Sequence, residues 1–97
     1  MIAEIQVLPT PAGAAESDYA HVDAAIEVIQ ASGLRYEVGP LGTSFEGAPA
    51  EVWPVLRAAH EATLAAGADG VVTVVKVAES RSDRGPGMED LVGKFRP

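Results

Sequence analysis

The sequence predicts an α+β sandwich in the order strand, helix, strand, strand, helix, strand. Three observations carry this. The chain opens and nearly closes on β-branched strand patterns, Ile2 to Leu8 and Val71 to Val77. Between them lie two amphipathic segments of helical period, and the helices in turn flank a glycine- and proline-marked hairpin from Leu34 to Gly47.

Ile2 to Leu8 places Ala3, Ile5 and Val7 on one side and Glu4 and Gln6 on the other, and Pro9 is expected to end the strand. Thr10 to Glu16, with Pro11, Gly13 and three alanines, reads as a loop, after which Ser17 or Asp18 is placed to cap a helix. From there to Ala31, Val22, Ala25, Ile26 and Ile29 recur at helical spacing while Asp23, Glu27 and Gln30 fall elsewhere, and Ser32-Gly33 is a stop. In the hairpin, Gly39-Pro40-Leu41-Gly42 suits a tight reversal, since proline presets φ and glycine accepts the positive φ that other residues resist.

Gly47-Ala48-Pro49 then leads into a second helix with Val52, Leu56, Ala59 and Thr63 on its inner stripe, ending near Ala66-Gly67. Pro54 requires that this helix begin near Ala50, so that the missing N–H falls in or near the first turn. Val71 to Val77 carries valines on both faces, interrupted by Thr73 and Lys76. From Ala78 the chain reads as a mobile loop containing Arg81, Asp83, Arg84, Gly85, Pro86 and Gly87, before a short acidic-apolar helical turn from Met88 to Lys94.

Right-handed crossovers of this order give a ferredoxin-like βαββαβ sandwich: a four-stranded antiparallel sheet, first and third strands central, two helices on one face and a short C-terminal helix. Residues 1–97 are read as a single domain. A sheet covered on one face leaves the valines of the last strand exposed on the other, so a homo-oligomer, a dimer or a pair of dimers forming a tetramer, is expected.

Composition narrows the function. There is no cysteine, which removes disulfides, thiolate metal sites and cysteine nucleophiles. The N-terminus has no basic region followed by an apolar stretch, and no apolar run reaches the length of about 20 residues that crosses a bilayer, so a cytoplasmic protein without a membrane partner is expected. A net charge of −7, from 14 acidic and 7 basic residues, repels nucleic acid and anionic lipid and favours a cationic or neutral ligand.

The motifs exclude more than they assign. His21 and His60 lie on different helices with no spacing that points to a metal, and are read as polar residues on helix surfaces. Ser17, His21 and Asp23 lack the strained nucleophile turn of a catalytic triad, and neither glycine-rich spot has the strand-to-helix setting of a phosphate loop. What remains is a small-molecule pocket in the hairpin region: Tyr36 and Phe45 to stack, Glu37 or Glu46 to attract a positive ring, and Thr43, Ser44 and Thr73 to hydrogen-bond. Tyr36 reads equally as core, because it shares a face with Leu34 and Val38, and Glu37 with Arg35 equally as a cross-strand polar pair. Lys76, among valines, needs a partner, for which Glu4 or Glu37 is available, and either meets an anionic group or runs to solvent. Trp53 is read as a packing or interface residue.

Several segments together resemble a known family. They are the opening Ala3-Glu4-Ile5-Gln6-Val7-Leu8-Pro9, the run from Ser32 to Thr43 followed by Glu46-Gly47, His60-Glu61 with Ala66-Gly67-Ala68, Val71 to Val77, and Met88-Glu89-Asp90-Leu91-Val92. Over nearly the whole chain the sequence is similar to the thiamine-binding, YkoF-like proteins. The resemblance implies homo-oligomers with sheets packed face to face, no catalysis and no cofactor, and binding of thiamine or its hydroxymethylpyrimidine portion. It carries the ligand role onto Glu37, Gly42 and Thr43 in the hairpin, Thr73 and Lys76 in the last strand, and Ser17 before the first helix. Two other classes compete: a regulatory or interaction module sensing another metabolite, and a cofactor-free enzyme of the dimeric ferredoxin-like type. The enzyme would need a general base in an enclosed setting, which the sequence does not display.

Overall fold

The computed structural model describes residues 1–82 and 84–97. Asp83, which the sequence reading places in the glycine-rich loop, lies outside the described residues. The elements run β1 (Ile2–Thr10), α1 (Ala20–Ala31), β2 (Arg35–Val38), β3 (Thr43–Glu46), α2 (Pro49–Ala65), β4 (Gly70–Ala78) and α3 (Met88–Val92), followed by a 3₁₀ turn at Gly93–Phe95. The antiparallel sheet has the order β2-β3-β1-β4, with β1 and β3 central, as the ferredoxin-like topology requires.

Strand alternation sets the two faces. Ala3 and Ile5 of β1 and Phe45 of β3 turn towards the helices and pack with Ala25 and Ile29 of α1 and Val52, Leu56 and Ala59 of α2. The four inner-stripe residues expected on α2, including Thr63, are all buried. Both helices stop at glycines with positive φ, Gly33 at 79° and Gly67 at 123°.

Four boundaries or conformations differ from the sequence reading. β1 runs through Pro9 to Thr10, because β4 pairs with it as far as Thr10↔Gly70 while β3 stops at the Ile5↔Thr43 pair. Pro9 therefore sits on a stretch of β1 with no strand on one side, where a missing N–H costs no ladder bond. α1 begins at Ala20, not at Ser17 or Asp18, and no side chain caps it; the Ser17 and Ala12 carbonyls accept the Ala20 and His21 amides instead. α2 begins at Pro49, so Pro54 is further inside than a first-turn proline. The Ala50 carbonyl that would have met its N–H belongs to an exposed residue that water can reach. Gly39 and Gly42 do not adopt positive φ. They are small for close approach: a Cβ on Gly39 would stand 2.9 Å from the Gly42 oxygen, and one on Gly42 3.2 Å from the Ile5 oxygen.

The opposite face carries Arg35, Glu37 and Glu46 over β2 and β3, and the C-terminal segment is tied to them. Arg35 donates to Glu89 at 2.8 Å, Arg96 pairs with Glu89 and, at 3.2 Å, with Glu37, and the Met88 amide donates to Glu46 at 2.8 Å. Over β1 and β4 the same face is open: Leu8 is 48% exposed, Val72 63% and Val74 44%.

Candidate functional site

Because β3 ends opposite Ile5 while β1 continues to Thr10, the edge of β1 beyond Ile5 faces space instead of a strand. The β2–β3 turn closes one side of that space and the first two turns of α1 the other. The result is a cavity of about 450 Å³, walled by Val7, Tyr19, Val22, Asp23, Leu41 and Thr43 among others. This volume lies within the range of about 300 to 1,000 Å³ typical of small-molecule sites.

Thr43 is the polar group built into its floor. The residue is only 3% exposed, its hydroxyl makes no hydrogen bond to the described residues, and none of their buried side-chain polar atoms is left without a partner. The hydroxyl must therefore reach the cavity, where it can donate one hydrogen bond and accept others. Tyr19, 65% exposed, supplies an aromatic face at the rim, and Asp23, one helical turn on, supplies the only carboxylate on the wall, which has no Lys or Arg among the described residues. Tyr19 and Asp23 were not among the residues expected from sequence. Their i, i+4 spacing at the start of α1, an aromatic and a carboxylate on one helix face, was the signal available.

The six expected residues do not converge. Gly42 and Thr43 line this cavity. Ser17 lies in the preceding loop, exposed, its backbone paired in a tight reversal with Ala14. Thr73 is on the helix-covered face of β4, where its hydroxyl meets His60 Nδ1 at 2.6 Å. Glu37 and Lys76 project from the opposite face, Glu37 held by Arg96 and Lys76 set 3.7 Å from Glu4, its register partner. The Arg96 guanidinium, by hydrogen bond and then by charge, lowers the Glu37 carboxyl below its usual range. Alternation likewise sends Tyr36 to one face and Glu37, Ser44 and Glu46 to the other, so the hairpin's aromatic and polar residues do not share one face.

Neither histidine is the surface residue expected. His21 is 5% exposed and its Nδ1 lies 2.7 Å from the Pro11 carbonyl, to which a ring N–H donates, fixing the Pro11–Asp18 loop beside α1. His60 is half-buried against Thr73. No group of three metal-ligating side chains occurs among the described residues.

A second cavity, about 620 Å³, lies at the other end of the sheet between Met1, Ala48, Val77, Ser80 and Leu91. It is larger, but none of the expected residues lines it.

A family model described as thiamine-binding protein matches residues 3–96. The chain belongs to the thiamine-binding protein family. A UPF0045 protein of Methanothermobacter thermautotrophicus is 36% identical over 91 residues, covering 93% of this chain and 90% of the relative. Among solved structures, a domain of unknown function, DUF77, from Bacillus cereus superposes with a TM-score of 0.78 at 35% identity, over 98% of this chain and 90% of the other. A Thermotoga maritima protein described as a candidate in thiamine biosynthesis or salvage superposes at 0.76 with 25% identity, over 99% and 100% of the two chains. These matches share the α+β fold with this chain along almost its full length. No helix among the described residues is long and apolar enough to cross a membrane.

Proposed function

We propose that this protein binds thiamine or its hydroxymethylpyrimidine portion, without a catalytic cycle, in the cavity between the start of α1 and the β2–β3 turn. The observation that carries the reading is the hydroxyl of the nearly buried Thr43, without a partner among the described residues and open to an apolar space. An aminopyrimidine matches it: a flat ring for the apolar wall and Tyr19, ring nitrogens and an amino group for the hydroxyl, and a cationic thiazolium for the Asp23 side. Family membership supports the ligand class, and the charge of −7 supports a cation over an anion.

The exposed apolar stretch of Leu8, Val72 and Val74 supports self-association through the open face, as a dimer or tetramer in the cytoplasm. Light scattering is expected to give a mass above that of the monomer. A second reading follows from that face: a ligand held between copies, touching Glu37 and Lys76. Calorimetric titration separates the two. Thr43→Val is expected to weaken thiamine about three- to tenfold, the worth of one lost hydrogen bond, while Lys76→Met leaves the affinity unchanged. The reverse pattern would move the ligand to the interface between copies, and no heat from thiamine or hydroxymethylpyrimidine would remove the function. Thermal melting gives a check: ligand at 100 times its dissociation constant adds about 2.7 kcal/mol. In a domain of this size that is a rise on the order of 10 °C or more.

A further inference from the structure

Binding of a pyrimidine in the Thr43 cavity leaves open which phosphorylation state is taken, and the walls bear on it. A phosphate needs cationic side chains or free backbone amides. None of the chain's 7 Lys and Arg side chains lines the cavity. At the start of α1, whose dipole favours an anion, two amides are taken, Ala20 by the Ser17 oxygen at 3.3 Å and His21 by the Ala12 oxygen at 3.0 Å, which leaves the Val22 amide as the one helix-start donor on the wall. In the β2–β3 turn Pro40 has no N–H and Gly39 donates its own to the Gly42 oxygen at 2.8 Å, so the turn can offer only the uncharged Leu41 and Gly42 amides. Against the missing cations stands Asp23, whose carboxylate forms no ion pair with the described residues.

We infer that the cavity selects unphosphorylated over phosphorylated ligands, with Asp23 as the specificity-determining residue. The inference rests on the binding reading above and adds a sign to it. Asp23 attracts the thiazolium of thiamine and repels a phosphate carried on the same molecule, and no cationic side chain on the wall offsets that repulsion. Because Asp23 is exposed, the effect is screened by salt and is largest at low ionic strength.

The test is calorimetric titration at low salt with two probes, thiamine and thiamine diphosphate, on the wild-type protein and on Asp23→Asn, Asp23→Lys and Glu61→Gln. Thiamine is expected to bind at least about fivefold more tightly than the diphosphate, a discrimination typical of an exposed charge at close range. Asp23→Asn should collapse the ratio and Asp23→Lys should invert it. Glu61, exposed on α2 and paired with Arg57, changes the net charge without touching the cavity, so Glu61→Gln should preserve the ratio. Asp23 is solvent-facing, and circular dichroism is expected to show all the variants folded. Equal affinities for the two probes, an unchanged ratio in Asp23→Asn, or an equal collapse in Glu61→Gln would overturn the selectivity while leaving the binding function standing. Absence of heat with both probes would overturn both.

Discussion

On the helix-covered face of the sheet, polar side chains are few and enclosed, as at Thr43 and Thr73, whereas on the opposite face Arg35, Glu37, Glu46, Glu4 and Lys76 stand near solvent and pair with each other or with the C-terminal segment. Charge is abundant where it is already satisfied. Chemistry is left over where it is scarce, at the Thr43 hydroxyl, which no described residue engages. A charged side chain in a surface pair is worth at most about 1 kcal/mol and advertises little, while a hydroxyl on a nearly buried residue with no partner among the described residues needs an explanation.

The two faces should respond very differently to substitution. The largest effect is expected in the core: Phe45, fully buried, should cost about 3–5 kcal/mol when changed to Ala, measured by urea unfolding. A loss below about 1 kcal/mol would mean that the helices do not hold that face as described. A smaller effect is expected at the loop that frames the cavity. His21→Leu leaves the Pro11 carbonyl without its donor and should cost about 1–3 kcal/mol, with weaker thiamine binding because Tyr19 follows that loop.

The smallest effect on global stability, and the most local, concerns the opposite face. Glu37 is held below its usual carboxylate range chiefly by its hydrogen bond to Arg96, and Glu89 by hydrogen bonds to Arg35 and then Arg96. With folded values lowered, the attachment is complete above the ordinary carboxylate range and is lost as the pH falls through the lowered values. Hydrogen exchange of the α3 amides should accelerate below that range, while the core amides of α2 do not respond. Arg96→Ala should produce the same acceleration at neutral pH. If core and tail amides respond together, the two faces are not energetically separate.

The contrast also explains what could be read from sequence. Element order, the helix stops at Gly33 and Gly67, and the stripe of Val52, Leu56, Ala59 and Thr63 are local periodicities, and they were legible. The end of β1 was not, because Pro9 breaks a strand only where a neighbour needs its N–H, and the length of β3 decides that. His21 looked like a surface residue because its partner is a backbone carbonyl ten positions earlier, invisible to side-chain spacing. The cavity was half legible. Gly42 and Thr43 could be singled out, but Tyr19 and Asp23 join them only because α1 crosses the bare edge of β1. Glu37 and Lys76 attracted attention through their charge, and strand alternation places them on the far side of the sheet from Thr43.

Mapping backbone amide shifts by two-dimensional NMR during a thiamine titration tests the central claim most directly. Saturable shifts are expected in Tyr19 to Asp23 and Gly39 to Thr43, with Val72 to Lys76 and Glu37 unmoved. Shifts confined to Glu37 and the outer residues of β4, or no saturable shifts at all, would contradict it.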